Sequence, residues 1–228
     1  TGGVGFFECV DDTSLAHQLF DTAKEWLKRE GMEAMDGPVN FGDKNQFWGL
    51  LVQNFESMNS YAMNYNPPYY RELMEGYGFQ TYFEQYVYYR KVRQPIEPVF
   101  IRKYEQLKKN YNITCSDVRG KSIKEIAYDF RKVYNGAWGG HNNFKEMSEE
   151  AALKVAKALK PIMDPNILVF AFHGTEPIGF YINIPELNEI FQHVDGKLNW
   201  IGKLKFLYHK YMKTPKTMVG IVFGVVKE

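Results

Sequence analysis

Cysteine is nearly missing from this chain. Cys9 and Cys115 are the two in 228 residues, far apart and with no metal-ligand spacing. That excludes a disulfide scaffold and a cysteine metal site, and it makes a reducing, cytoplasmic setting the expectation, with both thiols in apolar strand contexts as core residues. Long apolar runs are missing too. "MVGIVFGVV" near the end is far short of the roughly 20 residues that cross a bilayer, so no membrane span is expected. Net charge is also lacking: with 28 basic and 27 acidic side chains, no overall field draws in nucleic acid, and none is expected as a partner. The glycines of "GGVG" and "WGG" have neither GxGxxG nor Walker spacing and imply no nucleotide loop. The chain opens on Thr1 rather than methionine, and residues are expected before Thr1 and after Glu228.

Aromatic side chains, by contrast, make up 16% of the residues, within a hydrophobic fraction of 45% that suits one large or two small globular domains. "GFFECV" (5–10) reads as a buried strand, followed by the helix-cap cluster Asp11-Asp12-Thr13-Ser14. Leu15, Leu19, Ala23, Trp26 and Leu27 then recur at helical steps until Gly31. "MEAMDGPVNFG" reads as a short strand and turn, and "FWGLLV" as a compact apolar segment. "NPPYYRELMEGYGF" (66–79) reads as a short helix entered through prolines and stopped by Gly76 and Gly78. Its successor, "FQTYFEQYVYYRKV", has strand composition. Past "RQPIEP" (93–98), a linker, come a short helix (101–110), a strand at "YNITCSDVRG" and a helix with the stripe Ile123, Ile126, Ala127, Phe130, Val133 and Tyr134. A helix opened by Ser148, a hairpin turning at Gly174–Pro177, a helix from Trp200 and a last strand, "TMVGIVFGVV", complete the order.

The order from 99 onward resembles the front half of the GNAT superfamily of acyl-CoA-dependent N-acetyltransferases: strand, two helices, hairpin, then a strand that splays to admit the pantetheine arm. "ILVFAFHGTEPIGFYINI" is similar to the family's hairpin and "TMVGIVFGVV" to its fourth strand. Residues 1–92 resemble the back half, with "YYRELMEGYGF" matching a closing Tyr…Gly-Phe signature. More closely, the chain is similar to bacterial proteins with two GNAT-like domains in tandem, whose "GPVNF", "GLLV", "YNPPYY", "YN-AW", "IPELN" and "GK" stand here at 37–41, 49–52, 65–70, 134–138, 184–188 and 196–197. The resemblance implies an α/β fold, a mixed sheet with flanking helices, built as two incomplete units: 1–92, a linker at 93–98, and 99–228 ending at a fourth strand. It implies an N-acyltransferase that moves an acyl group from acetyl-CoA or another acyl-CoA to a small-molecule or peptide amine. An aminoacyl-tRNA-dependent transferase of the tandem type, or a degenerate pair that binds a ligand or partner without catalysis, are the alternatives. Two departures stand out. "DDTSLAHQL" holds the place of the family's Gly-rich pyrophosphate loop, and Met74 stands where the family has the tyrosine that protonates the thiolate. Acyl-CoA binding by this chain is therefore expected to be weak.

The resemblance assigns Val222, Phe223, Gly224, Val225 and Val226 to the pantetheine, because an unpaired strand edge can bond an extended arm. It assigns Tyr134, Asn135, Trp138 and Asn188 to the acceptor, with Tyr69 and Tyr70 either lining it or packing a helix start. Glu186 and His141 are the candidate catalytic bases; a surface turn and a solvated loop explain them as well. Between Gly196 and Lys227 lie seven lysines and no acid, fit for a solvated helix face, a CoA 3′-phosphate, an acidic partner or a membrane surface.

Overall fold

The computed structural model describes residues 1–42, 47–140, 144–213 and 215–227. The chain forms a mixed α/β structure that divides into two compact units, Thr1–Tyr89 and Arg90–Glu228.

In the first unit, helix α1 (Thr13–Arg29) starts where the Asp12 side chain accepts from the Leu15 amide at 3.0 Å, and it ends with Lys28 and Arg29 in its last turn. An acceptor at the N-cap and cations at the C-terminus both suit the exposed backbone groups and the dipole. Its inner residues Ala16 and Phe20 are sealed against Tyr70, Leu73 and Met74 of helix α2 (Tyr70–Tyr77). Gly78, at φ 113, ends α2; Gly76 sits inside the helix. Two-residue strands β1 (Gly2–Gly3) and β2 (Met35–Asp36) pair in parallel. A Cβ on Gly2 would lie 2.2 Å from a Leu27 methyl, so glycine lets this pair press against α1.

Two expected strands are absent. "GFFECV" is not one: the extended backbone bonds as far as Val4, and Phe6 at φ 53 turns it out of the β region. The segment is held by side chains instead, with Asn40 Oδ1 accepting from the Phe6 amide (2.7 Å), Tyr69 Oη donating to Cys9 C=O (2.9 Å) and Tyr70 Oη accepting from Cys9 N (3.1 Å). The aromatic run after Phe79 is not a strand either. It is irregular backbone with Tyr82 at 92% and Tyr88 at 89% exposure. Strand composition describes a side-chain surface, but a strand exists only where a neighbour takes its N–H and C=O groups. Nor are the thiols core: Cys9 is half-buried and Cys115 exposed.

The second unit follows its sequence reading closely. Helix α3 (Pro98–Asn110) has proline in its first turn, and strand β3 (Ile113–Asp117) follows. Helix α4 (Ile123–Trp138) opens with a capping box in which Ser122 and Glu125 bond each other's backbone. Helix α5 (Glu149–Leu159) is capped by Ser148. Strands β4 (Val169–His173) and β5 (Glu176–Pro185) form the hairpin, with Gly174 at φ 60 in a turn of two residues; Glu176 and Pro177 already belong to β5. Short α6 (Asn188–Phe191), helix α7 (Trp200–Tyr208) with a π turn at His209–Lys213, and strand β6 (Met218–Val225) complete the unit. The sheet order is β3-β4-β5-β6, antiparallel throughout, so the parallel pairing of a mixed sheet is confined to β1–β2. Helix α4 lays Ile126 and Val133 on Phe170, Phe180 and Ile182 of the sheet, where each buried phenylalanine contributes about 2 to 3 kcal/mol.

Asn66, 5% exposed, gives "YNPPYY" a second role ahead of α2, that of bracing a loop. Its Oδ1 accepts from the Leu51 amide (2.7 Å), and its Nδ2 donates to Leu51 C=O (3.2 Å) and Pro67 C=O (2.9 Å). Asn66→Ala leaves both Leu51 groups unpaired, and a loss of about 2 to 3 kcal/mol is expected in denaturant melts. Tyr88→Ala, on exposed backbone, is expected to change stability by less than about 0.5 kcal/mol.

Candidate functional site

The last turn of α4 and the end of β6 meet on the covered face of the sheet. Trp138 stacks on Tyr134 (centroids 4.9 Å apart, 23° between planes) and lies at 6.1 Å and 15° to Phe180. Tyr134 in turn lies 5.7 Å from Phe144. Beneath this stack is buried Gly224, where a Cβ would come within 2.6 Å of the Trp138 ring and 3.1 Å of Phe180. Val222 and Val226 pack into the same core. Among the expected residues, then, Tyr134 and Trp138 are brought together with Val222, Gly224 and Val226.

The opposite side of β6 offers something different. The Val226 amide donates to Ile178 C=O at 2.9 Å, and β-alternation from there turns the hydrogen-bonding groups of Gly224 and Val222 toward β5. Those of Phe223 and Val225 point to the outer edge, which no strand occupies among the described residues. Their side chains, 72% and 65% exposed, stand on the uncovered face. The β5–β6 register breaks between Ile182 and Asn183. Asn183 is 2% exposed; its Nδ2 donates to Ile167 C=O (2.8 Å) while its Oδ1 has no partner among the described residues. Sequence reading passed over this residue, although a single amide inside "FYINI" was the available signal.

The remaining residues lie elsewhere. Asn135 uses both ends of its amide on Met147, accepting from its N–H (2.9 Å) and donating to its C=O (3.1 Å), so it braces the connection to α5. Glu186 is 3% exposed, its Oε1 accepts from the Asn188 amide (2.9 Å), and its own N–H donates to Thr217 C=O (2.9 Å). Seven residues of extended chain separate Thr217 from Gly224, roughly 23 Å at ~3.3 Å each. Glu186 and Asn188 thus stand at one end of the β5–β6 pair, and the Tyr134–Trp138 stack at the other. Tyr69 and Tyr70 belong to the first unit. Tyr70 is buried, its Oη donates to Glu8 (2.9 Å), and desolvation together with that carboxylate pushes its phenol above the ordinary value. His141 lies outside the described residues.

In the first unit an open cleft of about 430 Å³ runs between residues 8–10 and α1, lined by Glu8, Cys9, Leu15, Gln18 and Leu19 among others. Its wall carries a carboxylate and no base, a poor surface for a pyrophosphate. Among the described residues no group of three or more His, Cys, Asp or Glu is placed to hold a metal ion.

No family model matches the chain, and no solved structure matches it. Over 229 residues it is 23% identical to Protein YghO of Escherichia coli (strain K12), matching along 100% of this chain and 58% of that protein. Over 227 residues it is 24% identical to the bacterial ceramide synthase of Caulobacter vibrioides (strain NA1000 / CB15N), along 100% of this chain and 59% of the synthase. The chain thus spans well under two thirds of both proteins.

Gly224 separates close packing from mere flexibility as the reason for a glycine. Gly224→Ala drives a methyl into Trp138 and Phe180; a loss of about 1 to 3 kcal/mol and a shifted tryptophan emission are expected. Gly76→Ala, inside α2 with nothing within 4 Å of the new Cβ, is expected to raise stability by about 0.5 to 1 kcal/mol. Equal effects at the two sites would remove the packing account.

Proposed function

We propose that the chain is part of a cytoplasmic N-acyltransferase that moves an acyl group from acyl-CoA to an amine, with a GNAT-like second unit. The observation that carries this reading is the outer edge of β6. Two amides, Phe223 and Val225, face an edge that no strand occupies among the described residues, beside a register break, and they suit the carbonyl groups of an extended pantetheine arm. The element order supports it in outline: β3, two helices, a hairpin and β6 in an antiparallel sheet follow the order of the family's front half, with α6 and α7 added between the hairpin and β6. One relative's name supports the chemistry. Ceramide is an amide of a long-chain amino alcohol, so a ceramide synthase forms an amide bond. In this reading the pantetheine arm lies along Phe223 and Val225, the reacting carbonyl sits by the register break, and the amine approaches from the Glu186 end. An amine attacks only as its free base, and Glu186, four residues from the break or roughly 13 Å at ~3.3 Å each, is proposed to take its proton through water rather than by direct contact. The first unit would bind without catalysis: Met74 is 4% exposed within a hydrophobic cluster and offers no acid.

Calorimetry with acetyl-CoA and a long-chain acyl-CoA tests the edge. Contacts to a strand edge without a phosphate loop predict a dissociation constant weaker than about 1 µM, or −8 kcal/mol. Phe223→Pro removes an outward donor and leaves the β5–β6 ladder, so it is expected to weaken binding several-fold with the fold intact. Val222→Pro, which breaks the ladder, is expected to destabilise the unit. Tight binding indifferent to Phe223→Pro would place the cofactor elsewhere.

Glu186→Gln keeps an oxygen for the Asn188 amide and removes the base. For acyl transfer to a long-chain amino alcohol, a fall in kcat of about 100-fold or more is expected at unchanged melting temperature. A variant that transfers at the normal rate would assign Glu186 to the turn alone.

A further inference from the structure

Helix α7 with its π turn has two apolar faces, and only one is used. The inner face is Gly202, Phe206 and His209. A Cβ on Gly202 would meet Lys197 C=O at 1.8 Å, Phe206 packs on Phe191 (5.5 Å), and His209 stacks on His193 (4.0 Å). Burial, then the nearby His193, Lys213 and Lys205, push the His209 imidazole below its ordinary value, which favours its neutral form in that seat. At about 100° per residue, Trp200, Leu204, Leu207, Tyr208 and Tyr211 fall on the opposite side. They are open to solvent, Trp200 at 85% and Leu204 at 64%. On the same wheel Lys203 and Lys205 flank this stripe, one on each side.

A helix solvated on its outer side turns charge outward and apolar groups inward. Here the outer centre is apolar and the helix carries its charge at the rim as lysine, with Asp195 the acid that meets Lys205. Lys205 pairs with Asp195 (2.6 Å) and Lys210 donates to Pro161 C=O (2.5 Å), while Lys203 and Lys213 carry no ion pair among the described residues. An apolar stripe centred on Trp200 and Tyr211, with Leu204 and Leu207 beside them and a lysine at each rim, is the pattern of a helix that lies in a bilayer interface, with apolar groups among acyl chains and ammonium groups at lipid phosphates. No helix among the described residues is long and apolar enough to cross a membrane, so the contact is in plane.

We propose that the outer face of α7 and its π turn, centred on Trp200, Leu204, Leu207 and Tyr211 and rimmed by Lys203 and Lys205, docks the protein on an anionic lipid bilayer surface. The apolar stripe alone would serve a second copy or a protein groove equally well. The lysines do not: lipid phosphates meet a lysine on each side of the helix, Lys203 without an ion pair among the described residues and Lys205 paired with Asp195, whereas a second copy would set lysine against lysine. The inference stands whether or not the chain transfers an acyl group.

Co-sedimentation with vesicles tests it, comparing phosphatidylcholine alone with mixed phosphatidylcholine and phosphatidylglycerol, without acyl-CoA. Binding to the mixed vesicles that weakens as salt is raised is expected. Trp200→Ser with Leu204→Ser is expected to lower the partition coefficient at least about tenfold. Lys203→Glu, at a solvent-exposed position, is expected to lower it about fivefold or more, with unchanged circular dichroism. Equal binding to both vesicle types, no binding at low salt, or indifference to the Trp200 and Leu204 changes would overturn the proposal. A dimer in sedimentation equilibrium that Trp200→Ser dissociates, with no vesicle binding, would assign the face to a second copy.

Discussion

Strand β5 is the constraint from which the second unit is laid out. It is bonded on both edges, to β4 through a turn of two residues and to β6 along Gly179–Pro185. Pairing on both sides leaves no freedom of register, since a slip of one residue would carry Phe180 and Ile182 from the α4 face to the open one. With register fixed, Phe180 becomes the floor on which Trp138 lies, and Gly224 must be opposite it. The break after Ile182 frees the lower half of β6 from the alternation of the upper half. A donor-bearing edge and a buried carboxylate can then occupy one strand pair while remaining far apart.

Where ladders are lacking, side chains do their work. Asn66 and Asn135 make the same arrangement in different units: one amide bonding the N–H and the C=O of a single residue, Leu51 in one case and Met147 in the other. An amide side chain is a detached peptide group, so it satisfies a loop residue as a neighbouring strand would. The first unit depends on this. Its long irregular stretches would otherwise leave buried backbone groups unpaired, at a cost of about 1 to 3 kcal/mol each. The tyrosines of "NPPYY" belong to the same arrangement, since Tyr69 and Tyr70 hold the backbone of Cys9.

This distinction explains what could be read from the sequence. Helices were legible because their signals are local: Asp12, Ser122 and Ser148 each bond a backbone amide three residues on. The hairpin and β6 were legible because apolar runs end at Gly174 and at the lysines before Met218. The strands expected at 5–10 and after Phe79 were misread because pairing is a property of two segments, and composition reports on one. The site was half legible for the same reason. Tyr134 and Trp138 stood out in the sequence as acceptor candidates and the structure packs them together near the end of α4, but the separation of Glu186 from that stack follows from register. Asn135 was assigned to the acceptor, and its bracing role was not legible because its partner, Met147, lies twelve residues on in a connection with no period.

The orientation of α7 was the least legible feature, and the reason is thermodynamic. Its apolar residues occur nearly all round the helix, so periodicity does not choose a face. Gly202 chooses it, because it is the position where the backbone fits against Lys197. Trp200 and Leu204 then point outward, which costs folding little, as both are equally exposed in the unfolded chain. What outward apolar groups raise is the tendency to associate. Lysines on both rims oppose association between like copies while leaving a surface of opposite charge attractive. Folding is thus nearly indifferent to this face, and the charge pattern around it decides what covers it.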